Sequence, residues 1–296
     1  MDVFCSTIIP TIGRPSLSVA VHSVLEQDFR AADFEIIVVN DSGRSLPEMD
    51  WQRSERVRVL DTNRRERSVA RNSGAAVANG QYLHFLDDDD VLLPGALGAL
   101  WQLQQATAAS WLYGAYRTVD NRGNLVAEWR PGLVGDVFAL LVAGESIPLQ
   151  TSMIETAHFF AIGGFDANPG IIGVEDRELG RRMALNGALG YTPAFVAQIR
   201  IGAESSTTNW AVIAERDRWG REKSLRLPTA ARRLRESAAS SYWRGRTSRA
   251  YLASMVWNVR HGDIFTATQR AANGLLLAAP HLFAVEFWRG LRTRVQ

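Results

Sequence analysis

The sequence predicts an α/β fold, a Rossmann-like mixed sheet flanked by helices, followed by a mostly helical carboxy-terminal extension. Three observations predict it. Short β-branched runs alternate with helix-periodic segments from residue 3 to about 120, three of those runs end in aspartate, and a basic, strand-poor stretch takes over after residue 209.

The elements follow in order. "VFCSTIIP" and "FEIIVVND" are apolar runs closing on polar or turn residues, as buried parallel strands do. Between them "PSLSVAVHSVLEQ" places Leu17, Ala20, Val21, Val24 and Leu25 at helical spacing, with Pro15 or Ser16 as the start signal. "RVRVLD" is a third strand, "ERSVARNSGAAVANG" a helix closed by Gly80, and "QYLHFLD" a fourth strand. Beyond residue 110, "WLYGAYRTVD" and "LVAEW" around "NRGN" predict an antiparallel hairpin. A Gly-rich segment, a helix "RELGRRMALNG" and a last strand "FVAQIRI" follow. A boundary falls in "ESSTTN", giving a first domain 1–208, with halves 1–110 and 111–208, and a helical extension 209–296 with a break at Gly262.

Composition narrows the classes. With 46% hydrophobic residues the 296-residue chain is globular rather than disordered. No stretch reaches the length of about 18 uncharged apolar residues that a membrane span needs, and the amino terminus reads as a strand rather than a signal peptide. The single cysteine, Cys5, excludes an intrachain disulfide and fits a reducing cytoplasm. The net charge of +2 hides an asymmetry: residues 1–210 hold 17 basic and 25 acidic side chains, residues 211–296 hold 16 and 6. No nucleic-acid motif accompanies that positive end.

In a doubly wound sheet ligands bind beyond the carboxyl ends of the strands. Here those ends carry Asp41, Asp61 and the run Asp87, Asp88, Asp89, Asp90. Four adjacent carboxylates repel one another unless a cation sits among them. Hard divalent ions such as Mg²⁺ and Mn²⁺ take oxygen ligands and often share them with a diphosphate. Alternation along an extended chain puts Asp87 and Asp89 on one side, while Asp90 equally suits the cap of a helix starting near Pro94. The chain has neither a P-loop nor a GxGxxG, so a phosphate needs cations from elsewhere. Arg64, Arg65, Arg67 and Arg71 surround the start of the preceding helix.

From residue 4 to about 205 the chain resembles the family 2 glycosyltransferases, inverting enzymes of GT-A fold that use nucleotide sugars. "TIIPTIGRPSLSVAVHSVLEQ" resembles their first strand and helix, "IIVVNDSG" their nucleotide-binding strand end, and "ARNSGAAVANGQYLHFLDDDD" the helix leading into their DXD metal motif. "GGFD" with "VEDRELGRRMALNG" resembles their acceptor-side motif. The resemblance implies that Pro10, Thr11 and Arg14 lie in the first loop by the nucleotide, and that Asp41 accepts a hydrogen bond from uracil or thymine. It also implies that Arg67 and Arg71 face the nucleotide, that Asp87 lies at the ribose and metal region, that Asp88 helps bind the nucleotide sugar, and that Asp89 with Asp87 binds Mn²⁺ or Mg²⁺. Asp176 is the implied base for the acceptor hydroxyl, with Glu175 beside it. A helix-capping role for Asp176 is compatible with that.

The implied function is metal-assisted transfer of a hexose from a UDP- or dTDP-sugar to a carbohydrate, lipid-linked or small-molecule acceptor in polysaccharide or glycoconjugate biosynthesis. One departure bears on the metal. Relatives often carry a histidine after the last core strand, and "IRIGAESST" has none, leaving Arg200, Glu204 or a water to take its place. Two other classes remain: a catalytically silent nucleotide-sugar-binding protein of the same fold, supported by that missing histidine, and a sugar nucleotidyltransferase, which "PTIGRP" matches poorly. "GLLLAAPHLFAVEFWRGLRTR" mixes aromatics with arginines. It suits peripheral contact with the inner face of the cell membrane, or packing on the catalytic domain.

Overall fold

The computed structural model of the chain describes residues 3–202 and 210–293. Its first four strands, β1 (Val3–Thr11), β2 (Asp33–Asn40), β3 (Val57–Asp61) and β4 (Tyr82–Phe85), run parallel in the order β3-β2-β1-β4. Helix α1 (Leu17–Leu25) links β1 to β2, and α2 (Arg67–Ala76) links β3 to β4. β2 is buried from Phe34 to Asn40 without alternation, the mark of a strand covered on both faces.

The sheet continues beyond β4 with mixed polarity. β8 (Ser152–Glu155) is antiparallel to both β4 and β6 (Trp111–Val119); β9 (Leu189–Arg200) runs parallel to β6. The two-residue β5 (Val91–Leu92) closes the far edge against β9, and β7 (Leu125–Trp129) forms the expected hairpin with β6. Register decides where the acidic strand ends meet. Thr11 pairs with Asn40 and Ile8 with Phe85, so Asp41 and the aspartate run both leave the sheet beside the end of β1.

Three local expectations are corrected. Helix α2 stops at Ala76, ahead of Gly80. Gly80 instead lets the chain pass against β1: its N–H donates to Ser6 Oγ at 2.8 Å, and a Cβ there lies 2.5 Å from the Ser6 amide nitrogen. Asp90 does not cap α3 (Ala96–Ala106); Gly95, at φ +79°, precedes that helix without a side-chain cap. No sequence pattern marks β5 or β8, because two and four residues become strand only through the partners they find.

The chain divides into two compact units. One comprises Met1–Gly135 with Ile147–Gly220; the other comprises Asp136–Ser146 with Arg221–Gln296. The expected boundary stretch, 204–209, lies outside the described residues, and the division falls inside α7 (Trp210–Leu225). Residues 136–146, expected in the first domain, go with the helical unit because α4 (Phe138–Val142) buries Phe138, Leu141 and Val142 there. In that unit α8 (Ala230–Glu236), α9 (Ser240–Arg260), α10 (Ile264–Ala278) and α11 (Val285–Arg292) follow in order, with α10 and α11 both packed on α9.

Gly80→Ala is expected to destabilise the protein by about 1–3 kcal/mol, since the methyl meets backbone rather than a movable side chain. Gly98→Ala, inside α3 with open space around the new methyl, is expected to stabilise it by about 0.4–1 kcal/mol. Urea unfolding of the two variants reads both signs.

Candidate active site

The ends of β1, β2 and β4 open into a cleft of about 780 Å³, lined among others by Thr11, Arg14, Asp41, Arg67, Asp87 and Glu175. The aspartate run folds into a turn at its edge, with the Asp90 amide donating to the Asp87 carbonyl at 3.1 Å. That turn gives four identical side chains four different environments.

Asp87 faces cations. It accepts from Arg71 Nη2 at 2.7 Å and from Gln150 Nε2 at 2.8 Å. Burial pushes its carboxyl up, but Arg71 and Arg67 outweigh that and hold it below the ordinary aspartate range. Asp88 turns the other way: it is buried, accepts from Thr11 Oγ1 at 2.6 Å and from Arg14 Nη1 at 2.8 Å, and so ties the first loop to the run. Both of its carboxylate oxygens are thus engaged with that loop, while the residue still lines the cleft.

Asp87, Asp89 and Asp90 each offer one carboxylate oxygen within 4.8 Å of the others. Burial and the Asp87 charge push Asp89 up; the same two causes push Asp90 well up. Negative charge therefore exceeds the cations that protein groups supply at this point. An all-oxygen donor set with surplus negative charge fits a hard divalent cation, and Asp90 joins the expected pair Asp87 and Asp89 as a third donor.

Asp41 anchors the other wall. It accepts from Thr62 Oγ1 at 2.7 Å and from the Glu66 amide at 2.6 Å, and the Glu66 carboxylate in turn caps α2 through the amides of Ser68 and Val69. Each Asp41 oxygen keeps a further lone pair for a ligand N–H. Its firm contribution is to set the start of α2, and with it the positions of Arg67 and Arg71.

Arg71, expected to face the nucleotide, is engaged with two carboxylates. It is buried and bridges Asp87 to Glu175, with Nη1 3.2 Å from Glu175 Oε1 and the guanidinium 5.2 Å above the Phe165 ring. The neighbouring Asn72 donates to the Phe165 carbonyl at 2.8 Å and accepts from its amide at 2.9 Å. The dipeptide "RN" thus fastens α2 to the "GGFD" and "VED" segments. Arg67 remains partly exposed at the cleft, 3.5 Å from Glu175.

The acidic pair opens α6 (Glu175–Asn186). Glu175 lines the cleft but is heavily engaged, accepting from the Gly173 amide at 2.6 Å besides its arginines. Asp176 is half-buried and accepts from the Arg177 amide at 2.8 Å; the expected capping role is corrected, because Asp176 lies inside the first turn, the cap position is Val174 and no side chain caps the helix. Burial and the Glu175 charge push its carboxyl up, against Arg177.

Several residues that matter here carried no sequence signal. Gln150 reaches Asp87 from a segment without a motif. His84 holds that segment: its Nε2 lies 3.0 Å from the Gln150 carbonyl and its Nδ1 3.2 Å from Thr7 Oγ1. A carbonyl only accepts, so Nε2 carries the proton and Nδ1 accepts from the hydroxyl. Arg200 fills the region where relatives often carry a histidine, its amide donating to Asp90 Oδ1 at 2.7 Å and its guanidinium to the Asn121 carbonyl at 3.1 Å. Glu204, the other expected occupant, lies outside the described residues.

Removing the bridge while keeping its volume, Arg71→Met, leaves Glu175 buried beside Arg67 alone. An expected loss of about 3 kcal/mol in unfolding free energy follows, with Arg71→Lys intermediate. His84 supplies a pH test. Burial holds its imidazole down to about 4, below the ordinary 6.5. In the window between those values the unfolded chain binds the proton that the folded chain refuses. Stability is therefore expected to drop by about 3 kcal/mol as pH falls from 6.5 to 4, and His84→Asn should flatten that stretch of the curve.

Comparison with known proteins agrees with this geometry. The family model described as Glycosyl transferase family 2 matches residues 6–144. The poly(ribitol-phosphate) beta-N-acetylglucosaminyltransferase TarP of Staphylococcus aureus is 31% identical over 127 residues, 41% of this chain and 38% of that protein. The GalNAc(5)-diNAcBac-PP-undecaprenol beta-1,3-glucosyltransferase of Campylobacter jejuni is 36% identical over 131 residues, 42% of this chain and 41% of that one. The chain thus spans about two fifths of the length of these curated relatives. The crystal structure of S. aureus TarS in complex with UDP-GlcNAc matches with a TM-score of 0.61 at 15% identity, covering 91% of each chain, which identifies the fold as GT-A. Motifs, family match and fold agree: residues 6–144, just under half of the chain, are similar to glycosyl transferase family 2.

Proposed function

We propose that the protein is an inverting glycosyltransferase that moves a hexose from a UDP- or dTDP-sugar to an acceptor hydroxyl, with Asp176 as the base. The carrying observation is the division of labour in the acidic pair. Glu175 is committed to two arginines and a backbone amide, whereas Asp176, the next residue along the start of α6, holds a raised proton affinity. A base needs that combination.

In this reading the acceptor oxygen attacks the anomeric carbon opposite the diphosphate. The carbon–oxygen bond to the diphosphate breaks, and the acceptor proton passes to the Asp176 carboxylate. Arg14 and Arg67, both more than 40% exposed, are among the arginines that line the cleft and face the diphosphate in this reading, while Arg71 bridges carboxylates. Thr11 and Pro10 border the nucleotide, and Asp41 offers its remaining lone pairs to the base N–H. Asp89, with Asp87 and Asp90, would hold Mn²⁺ or Mg²⁺, which when bound supplies positive charge to the leaving diphosphate.

The names of similar proteins favour a polymer or lipid-linked acceptor: one acts on poly(ribitol-phosphate), another on a diphosphoundecaprenol-linked saccharide. TarS, bound to UDP-GlcNAc, supports a uridine donor by analogy of fold. The single buried Cys5 suits the cytoplasm, and the basic helices suit a peripheral station at the inner membrane face.

Asp176→Asn should lower kcat by about 10²–10⁴ with donor affinity little changed, while Glu175→Gln should also weaken folding. Because Asp176 is pushed above the ordinary 3.8, the acid limb of kcat/KM lies above that value, activity falling as the base takes up its proton. Thermal unfolding with UDP, dTDP or GDP, with and without Mn²⁺, identifies the nucleotide. At about 100 times its dissociation constant the right one adds about 2.7 kcal/mol. Asp89→Ala should abolish the metal-dependent part. Full turnover by Asp176→Asn would sink the assignment of the base.

A further inference from the structure

We infer that the tip formed by the end of α10, the following 3₁₀ turn and α11 docks on an anionic lipid bilayer. The inference concerns the helical unit alone and stands or falls independently of the reaction proposed above.

α10 is amphipathic in an inverted sense, and α11 with the residues before it leaves apolar side chains exposed beside its buried Phe287. Toward α9, α10 buries Ala267, Arg270, Gly274 and Ala278, so its packing face is made mostly of small residues. Its large apolar side chains point outward: Leu275 is 66% and Leu276 73% exposed. α11 buries Phe287 and Gly290, while Val285 is 80% and Phe283, just before the helix, fully exposed. A helix at a water-facing surface normally turns its large apolar residues inward. Scattered exposed apolar residues are ordinary, but these four, with Trp288 beside them, fall within 14 consecutive positions around one short connection.

The charge around the tip selects the occupant. Arg289, 70% exposed, and the exposed Arg292 follow the apolar residues on α11, and Glu286 is paired with Arg289 at 3.4 Å. Residues 221–296 together hold 14 basic and 4 acidic side chains. Apolar and aromatic groups that insert shallowly, rimmed by arginines, match a membrane surface of negative headgroups. A protein partner would favour an apolar centre depleted of charge. Among the described residues no helix is long and apolar enough to cross a membrane, so the attachment is to the surface.

The test is sedimentation of the full chain with vesicles of phosphatidylcholine alone or mixed with phosphatidylglycerol. The wild type is expected to bind the anionic vesicles about tenfold more strongly than the neutral ones, with binding weakened by salt. Leu276→Ser/Phe283→Ser/Val285→Ser should reduce binding about tenfold on the anionic vesicles. Arg289→Gln/Arg292→Gln should instead diminish the preference for them. Thermal unfolding and circular dichroism verify that each variant is folded; if the triple variant is not, the arginine pair and Phe283→Ser carry the test. Equal sedimentation of wild type and folded variants, or no binding by the wild type, overturns the inference. So does a wild-type dimer in sedimentation velocity that the serine variant dissolves while vesicle binding is unaffected, which would assign the tip to a second copy of the chain.

Discussion

The buried guanidinium of Arg71 joins the two groups of carboxylates at the cleft. One of its nitrogens holds Asp87, in the aspartate run, and another holds Glu175, in the acidic pair that opens α6. These residues lie far apart in the sequence, on elements with no direct strand pairing between them. A buried cation between two carboxylates has a steep penalty if either partner leaves, so the arrangement is held to one geometry. Asn72, next along α2, adds two hydrogen bonds to Phe165 and fixes the same segments through the backbone. The position of α2 is in turn set from β2, because Asp41 accepts the amide of Glu66 and Glu66 caps the helix.

Electrostatics then divides the aspartate run by direction. The turn sends Asp87 toward arginine, Asp88 toward the first loop, and leaves Asp89 and Asp90 with more mutual repulsion than compensation. Such surplus charge weakens the fold unless a ligand balances it, which is how binding sites come to be locally unfavourable in an otherwise consistent structure. Gln150 and the neutral His84 brace the run from behind, and the low proton affinity of His84 keeps a second charge out of the core. Within the same unit, the acidic pair repeats the pattern: Glu175 is consumed by structure, and Asp176 is left with a raised proton affinity.

The helical unit is built on a different principle. α9 accepts α10 and α11 at close range because Gly274 and Gly290 face it, and Ser248 donates to the Gly274 carbonyl at 3.2 Å. Small residues in the helix contacts bring backbones near one another but bury little apolar surface. The large apolar side chains are then left outside, together with the arginines. Its cohesion rests more on such contacts and on buried arginines, among them Arg246 paired with Glu145, than on a broad hydrophobic core.

Periodicity by itself determined the alternating first half, the hairpin of β6 and β7, helix α6 and the break at Gly262, because these elements depend on patterns within a window of about ten residues. Spacing and motif likewise determined which carboxylates gather at the strand ends. Tertiary structure alone decided the rest. β5 and β8 exist through their partners, and α4 joins the helical unit because its apolar face is buried there. The contacts of Asp88, Asp90 and Arg71 belong here too: a side chain's direction after a turn, and the charge it meets there, depend on residues tens of positions away. Gln150, His84 and Asn72 act through contacts of that kind, and no local pattern marks them.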